Sequence, residues 1–155
     1  MERPKHFLYP GAIYVSPEPA LVTTILGSCV AICLYDPVLQ IGGMNHYMLP
    51  LWNGQGLASP RYGNIAIEKL IANIEAMGSR RENMKAKIFG GAEIIASNIN
   101  QFMIGERNIL IAKEILKEEK IPIISSSTGG KLGRKLIFNT ETGEVRQKYV
   151  GSSNP

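Results

Sequence analysis

Over the first fifty positions the apolar residues fall in short runs, and after residue 64 they take up a helical period. Residues 21–25 are rich in β-branched side chains and lead into Gly27-Ser28, while 30–35 form an apolar run closed by Asp36-Pro37. Two strands around a tight bend are expected. A third strand, near 41–49 and closed by Pro50, joins the second as a hairpin through residues 36–40. From Asn64 the positions Ile67, Leu70, Ile71, Ile74 and Met77 share one helical face, with Asn64 as N-cap and Gly78 after the end. Residues 85–89 read as a strand ending in Gly90-Gly91, followed by a helix from Ala92 to about Asn100. A further helix is expected from about Glu106 to Lys120, because Pro122 blocks its continuation, and 121–126 form a strand. Residues 136–139 and 144–149 flank the turn signal Thr140-Glu141-Thr142-Gly143. Strands first, then interleaved helices, then a terminal hairpin predict an α+β fold, a single layered domain over 1–155 with β-sheet packed by helices.

Composition narrows the function classes. The 155 residues are 45% hydrophobic and 19% charged, which excludes disordered and collagen-like chains. No apolar run approaches the ~18 residues of a membrane span, and the first ten residues lack the continuous apolar core of a signal peptide. A cytoplasmic protein without membrane insertion is expected. Two cysteines are too few for a disulfide framework and are expected to be free thiols. The net charge of +4 permits a nucleic-acid partner, yet Arg80, Arg81, Lys85 and Lys87 are interrupted by Glu82. Likewise Lys113, Lys117 and Lys120 alternate with Glu114, Glu118 and Glu119, as on a solvated helix face. No nucleic-acid partner is expected.

Candidate chemistry centres on Cys29. The preceding Leu26-Gly27-Ser28 bends the chain sharply and turns backbone N–H groups toward the sulfur, as both a nucleophile and an oxyanion hole require. Cys33, between Ile32 and Leu34, reads as a buried small hydrophobe. His46 lies on the hairpin strand. If Asp36 faces Ile41, then Ala31 faces His46, and Cys29 sits one diagonal step away on the same face, roughly 7–8 Å between α-carbons. A one-residue slip would separate the two side chains. No Asp or Glu occurs between Glu18 and Asp36, but hydroxyls are available to orient the imidazole: Thr23 and Thr24 point to opposite faces of their strand, so only one can address the pair. Zinc is disfavoured, because Cys29, Cys33, His46 and His6 supply one unusual C-x-x-x-C pair and no second. The glycine pairs at 90–91 and 129–130 match no phosphate-binding loop, so no cofactor is expected.

The stretch Leu26-Gly-Ser-Cys-Val-Ala-Ile-Cys-Leu-Tyr-Asp36, followed by Gly42-Gly-Met-Asn-His-Tyr-Met-Leu-Pro50, closely resembles the CheD family of chemoreceptor glutamine deamidases. Pro10-Gly11, Lys87-Ile-Phe-Gly-Gly-Ala92, Ile104-Gly-Glu-Arg-Asn108 and Gly129-Gly-x-x-Gly-Arg134 follow in the family's order. The resemblance implies a Cys-His-Thr triad, with the threonine six positions before the cysteine and the histidine seventeen after it. On this chain these are Thr23, Cys29 and His46, with backbone groups around Gly27 and Ser28 for the oxyanion. It further implies a fold shared with deamidating bacterial toxins, methyl-accepting chemotaxis receptors as substrates, and, as an alternative role, regulatory binding to the chemotaxis phosphatase CheC. One departure is Ser127, where the family often carries an acidic residue. Residues 54–61, a Gly-Gln-Gly loop bordered by Trp52 and Tyr62, are the expected reader of the receptor helix.

Overall fold

The computed structural model describes residues 3–93 and 103–151. Among these, two sheets stack face to face and two helices cover one of them. The four-stranded sheet has the order β1-β3-β8-β9, from β1 (Lys5–Phe7), β3 (Leu21–Leu26), β8 (Gly133–Asn139) and β9 (Val145–Val150). The five-stranded sheet runs β2-β5-β4-β6-β7, from β2 (Ile13–Ser16), β5 (Ile41–Asn45), β4 (Val30–Asp36), β6 (Lys85–Gly90) and β7 (Ile123–Thr128). Helices α1 (Gly63–Ala76) and α2 (Ile104–Glu118) lie on its far side. The α+β layering expected from the element order is present.

Strand β4 is apolar from Val30 to Leu34, and both of its faces are buried there. Val30, Ile32 and Leu34 pack beneath Ile67, Leu70, Ile74, Ala112 and Leu116 of the helices. Ala31 and Cys33 face the other way, into a second core with Val22, Leu26, Leu136 and Phe138 of the four-stranded sheet. Such burial on both sides removes the period-2 alternation expected of a half-exposed strand.

The β4–β5 hairpin has the register expected from the sequence, with Asp36 opposite Ile41 and Cys33 opposite Met44. Asp36 builds the turn. Its Oδ1 accepts the amides of Val38 (2.8 Å) and Leu39 (3.1 Å), and its Oδ2 accepts the Ser79 hydroxyl (2.5 Å). The third strand is shorter than expected and ends at Asn45, whose side-chain Oδ1 takes the Ile32 amide at 2.8 Å in place of the next backbone rung. Pairing resumes at a single bridge, Val30 with Tyr47. Strands β1 and β2 carry no strong pattern and were not expected.

Helix α1 is capped by Tyr62 without a side-chain bond, so the expected N-cap Asn64 is corrected: its Oδ1 accepts the Trp52 amide at 3.0 Å and ties down the preceding loop. The strand expected from 121 begins at Ile123, after Pro122, which accepts the Ala86 amide but has no N–H to give to the ladder. The helix expected from Ala92 to Asn100 lies, from residue 94 onward, outside the described residues. No helix of the described residues is long and apolar enough to cross a membrane.

Because Asp36 holds the turn that sets the hairpin register, Asp36→Ala should cost about 2–4 kcal/mol in chemical denaturation, the scale for stripping a buried carboxylate's hydrogen bonds. Surface Asp36-independent turns such as that at Thr142 should tolerate alanine within about 0.5 kcal/mol.

Candidate active site

The bend between β3 and β4 carries Cys29, and its three carbonyls are all tied back into the protein. The Gly27 oxygen accepts the Ala92 amide (3.0 Å), the Ser28 oxygen accepts Asn108 Nδ2 (3.0 Å), and the Cys29 oxygen accepts the Gly91 amide (2.9 Å). A trans peptide points its N–H opposite to its C=O. The N–H groups of Ser28 and Cys29 are thereby turned away from these anchors, whereas the Val30 amide is used by the Tyr47 carbonyl. The close packing leaves no room at Gly90, where a β-carbon would stand 2.2 Å from the Cys29 carbonyl oxygen and φ is +105°.

His46 follows β5, between the Cys33–Met44 pair and the Val30–Tyr47 bridge, so it faces Ala31 across the hairpin. Cys29 stands two residues before Ala31 on the same face and packs against the same inter-sheet core. Their α-carbons are therefore separated by about one diagonal step of a sheet, roughly 7–8 Å. Asn108 on α2 closes the arrangement. Its amide nitrogen donates to the carbonyls of both Ser28 and Met48, at 3.0 Å each, linking the cysteine bend to the histidine segment. Sequence reasoning did not single out this residue, although it lies in the Ile104–Asn108 motif that carried the family resemblance.

Thr24, not Thr23, meets the imidazole, with Oγ1 at 2.7 Å from His46 Nδ1. Thr24 shares the inward face of β3 with Val22 and Leu26, while Thr23 takes the outward face with Ile25. Leu21, Val22, Ile25 and Leu26 make both faces of this strand apolar, so the pattern alone left the parity open. Six residues back from Cys29 lies Thr23, on the outward face, because the inward positions are fixed by packing against the second sheet.

Thr24 also determines which ring nitrogen carries the proton. Its hydroxyl donates to the Leu8 carbonyl at 2.7 Å, and a hydroxyl has one proton to give. The contact with His46 must therefore be Nδ1–H donating to Oγ1. That leaves Nε2 as a lone pair, buried and without any hydrogen-bond partner, the Cys29 thiol included.

Burial holds the pair neutral. It lowers the His46 pKa to about 4, and it raises that of the Cys29 thiol, against a smaller opposing effect of the cysteine's own backbone N–H. A resting thiolate–imidazolium pair, which would lower the Cys29 pKa, is not what this environment favours. Cys33 is fully buried with its thiol 3.5 Å from the Met44 sulfur, and burial raises its pKa strongly. Ser127 accepts from Arg134 Nε at 3.2 Å, at the far end of the Gly129-Gly130 loop. The loop over 54–61 is exposed, with Leu57 83% accessible, and it rejoins the site where the Arg61 carbonyl accepts the amides of Met48 and Leu49. No group of three or more His, Cys, Asp or Glu side chains among the described residues is placed to hold a metal ion.

Comparison with known proteins returns one family throughout. A family profile described as CheD, chemotactic sensory transduction, matches residues 48–149. The chain is 51% identical over 151 residues to the probable chemoreceptor glutamine deamidase CheD of Sulfurimonas denitrificans, covering 97% of each. It is 51% identical over 141 residues to the protein of the same description from Trichlorobacter lovleyi, covering 91% of this chain and 88% of that one. A relative from Agrobacterium fabrum, again described as a probable chemoreceptor glutamine deamidase CheD, is 50% identical over 134 residues, covering 86% of this chain and 72% of its own length.

Two measurements test the neutral pair. His46 is depressed in the folded state, so its contribution to stability is complete above its unfolded value near 6.5 and is lost as pH falls toward 4. The stability advantage of the wild type over His46→Gln should shrink by up to about 3 kcal/mol between pH 7 and pH 4.5 in urea titrations. Iodoacetamide should label Cys29 and spare Cys33 in the folded protein, at a rate that still climbs above about pH 8.5. A rate already level at neutral pH would indicate an ion pair.

Proposed function

This chain belongs to the CheD family, and we propose that it is a protein-glutamine glutaminase that deamidates glutamine side chains of methyl-accepting chemotaxis receptors in the cytoplasm, with residues 1–155 acting as one domain. The observation that carries the reading is the buried, unpartnered Nε2 of His46 beside the half-buried thiol of Cys29, with the opposite ring nitrogen fixed by Thr24.

In this reading His46 Nε2 takes the Cys29 proton as the sulfur attacks the side-chain carbonyl carbon. The carbonyl oxygen becomes an oxyanion, and the N–H groups of Ser28 and Cys29 at the Gly27 bend stabilise it. The tetrahedral intermediate collapses as His46 returns the proton to the amide nitrogen, which leaves as ammonia. A water then gives its proton to Nε2 and attacks the thioester. The Cys29 sulfur departs, recovers the proton, and the product is a glutamate side chain. Starting from a neutral pair suits this cycle, because no charge is buried before the substrate arrives and the imidazolium forms only alongside the oxyanion it balances.

Thr24 acts as a positioning residue, holding the productive tautomer. Thr24→Val should lower kcat about 100-fold or more and cost about 1–3 kcal/mol by orphaning Nδ1–H and the Leu8 carbonyl. Thr24→Ser should keep much of the rate. Thr23→Val should remain active, and the reverse pattern would return the role to Thr23. Activity is followed by mass spectrometry of a receptor cytoplasmic fragment, reading conversion of amide to carboxylate at glutamine. Cys29→Ala should abolish that conversion and Cys33→Ala should retain it. A regulatory contact with CheC, the second role implied by the family resemblance, should survive Cys29→Ala.

A further inference from the structure

Both helices pack on the five-stranded sheet, so the outer face of the four-stranded sheet is left uncovered by any described element. The four strands of that sheet contain no Asp or Glu. The register turns Lys5, Lys135, Arg146 and Lys148 outward, all exposed, and the nearest carboxylate, Glu144, lies just before β9 and pairs with Arg146 at 3.2 Å. On the opposite side of the molecule the groove between α1 and α2 carries both signs, with Glu68, Glu75, Glu118 and Glu119 beside Arg81, which pairs with Glu75 and Glu119. The overall charge of +4 is therefore unevenly placed, with a one-signed cationic sheet face and a helix face of mixed charge.

The same cationic face exposes large apolar side chains where it meets the active site. Phe7, Tyr9 and Ile25 are 45%, 67% and 50% accessible. Phe7 and Tyr9 touch edge to face, with ring centroids 4.9 Å apart. The parallel pairing ends at Phe7 with Thr23, which puts Phe7 on the same outward face as Ile25, two residues further along β3. Leu8, between the two aromatic residues, is the acceptor for Thr24, and Gly11 donates to the His46 carbonyl at 2.8 Å. Apolar anchors ringed by cations thus border the segment that holds the base.

We propose that this face docks an acidic amphipathic helix of the protein substrate, with Phe7, Tyr9 and Ile25 receiving its apolar stripe and the lysines its carboxylates. The inference rests on the deamidase reading for the identity of that substrate. Apolar anchors bordered by one sign of charge suit a helix with both characters, and the mixed charge of the α1–α2 side offers no comparable attraction.

The test uses a purified helical receptor cytoplasmic fragment, full-length wild type, Tyr9→Glu, and the double variant Lys135→Glu/Lys148→Glu. Binding is measured in the Cys29→Ala background, and turnover in the native one. Both variants should bind the fragment about 10-fold more weakly and raise KM with kcat unchanged, while iodoacetamide labels Cys29 at the wild-type rate. Added salt should weaken wild-type binding more than that of the double variant. Unchanged affinity in both variants would overturn the proposal. So would a wild type that fails to bind the fragment, that uses this face to dimerise, or that instead binds anionic phosphatidylserine vesicles through it. Fragment binding that depends on this face without any glutamine conversion would uphold the docking surface and overturn the deamidase reading instead.

Discussion

The pairing of Asp36 with Ile41 is the constraint on which the site depends. Side chains alternate along a strand, so a slip of one residue would send His46 into the helix-side core and Tyr47 into the space between the sheets. Tyr47 in place donates its hydroxyl to the Asn108 carbonyl at 2.6 Å, and Asn108 in turn holds Ser28 and Met48. The register of one hairpin therefore sets the histidine, the tyrosine anchor of α2, and through that helix the cysteine bend.

A second consequence is that the site is assembled between layers and not within one. Cys29 and His46 belong to the five-stranded sheet and its margins, Thr24 to the four-stranded sheet, and Asn108 to a helix. Thr24 and Asn108 each make two hydrogen bonds, which tie the cysteine and histidine segments to the other two layers. Burial, which makes His46 a poor proton carrier at rest, comes from the same sheet-on-sheet contact that brings Thr24 to it. Desolvation and orientation thus share one structural cause.

Much of this was legible in the sequence. The hairpin register followed from a short turn and an apolar run, and the cysteine from a Gly-Ser bend. Helix α1 followed from five apolar residues at helical spacing, although its cap did not, since Asn64 looked local and is used by Trp52. The choice between Thr23 and Thr24 was not legible. Both faces of β3 are apolar, and only packing against Ala31, Cys33, Met44 and Phe89 of the five-stranded sheet distinguishes them. Asn108 escaped for a related reason: an asparagine in a helix carries no signal of the two carbonyls it will meet. The rise of the Cys29 pKa likewise depends on layers that the local Gly-Ser-Cys sequence does not describe.

Strand β1 is only three residues long, exposed along its length and paired on one side, to β3 alone. Such edges belong to the units of a protein that open with the smallest free energy. Yet the residue immediately after it, Leu8, takes the proton of Thr24 and so dictates which nitrogen of His46 is bare. The bond that fixes the His46 tautomer thus lies one residue beyond the least protected edge of the four-stranded sheet, and it is secured there by the burial of Leu8 and by the Leu8 amide on the Thr23 carbonyl, not by the strand itself.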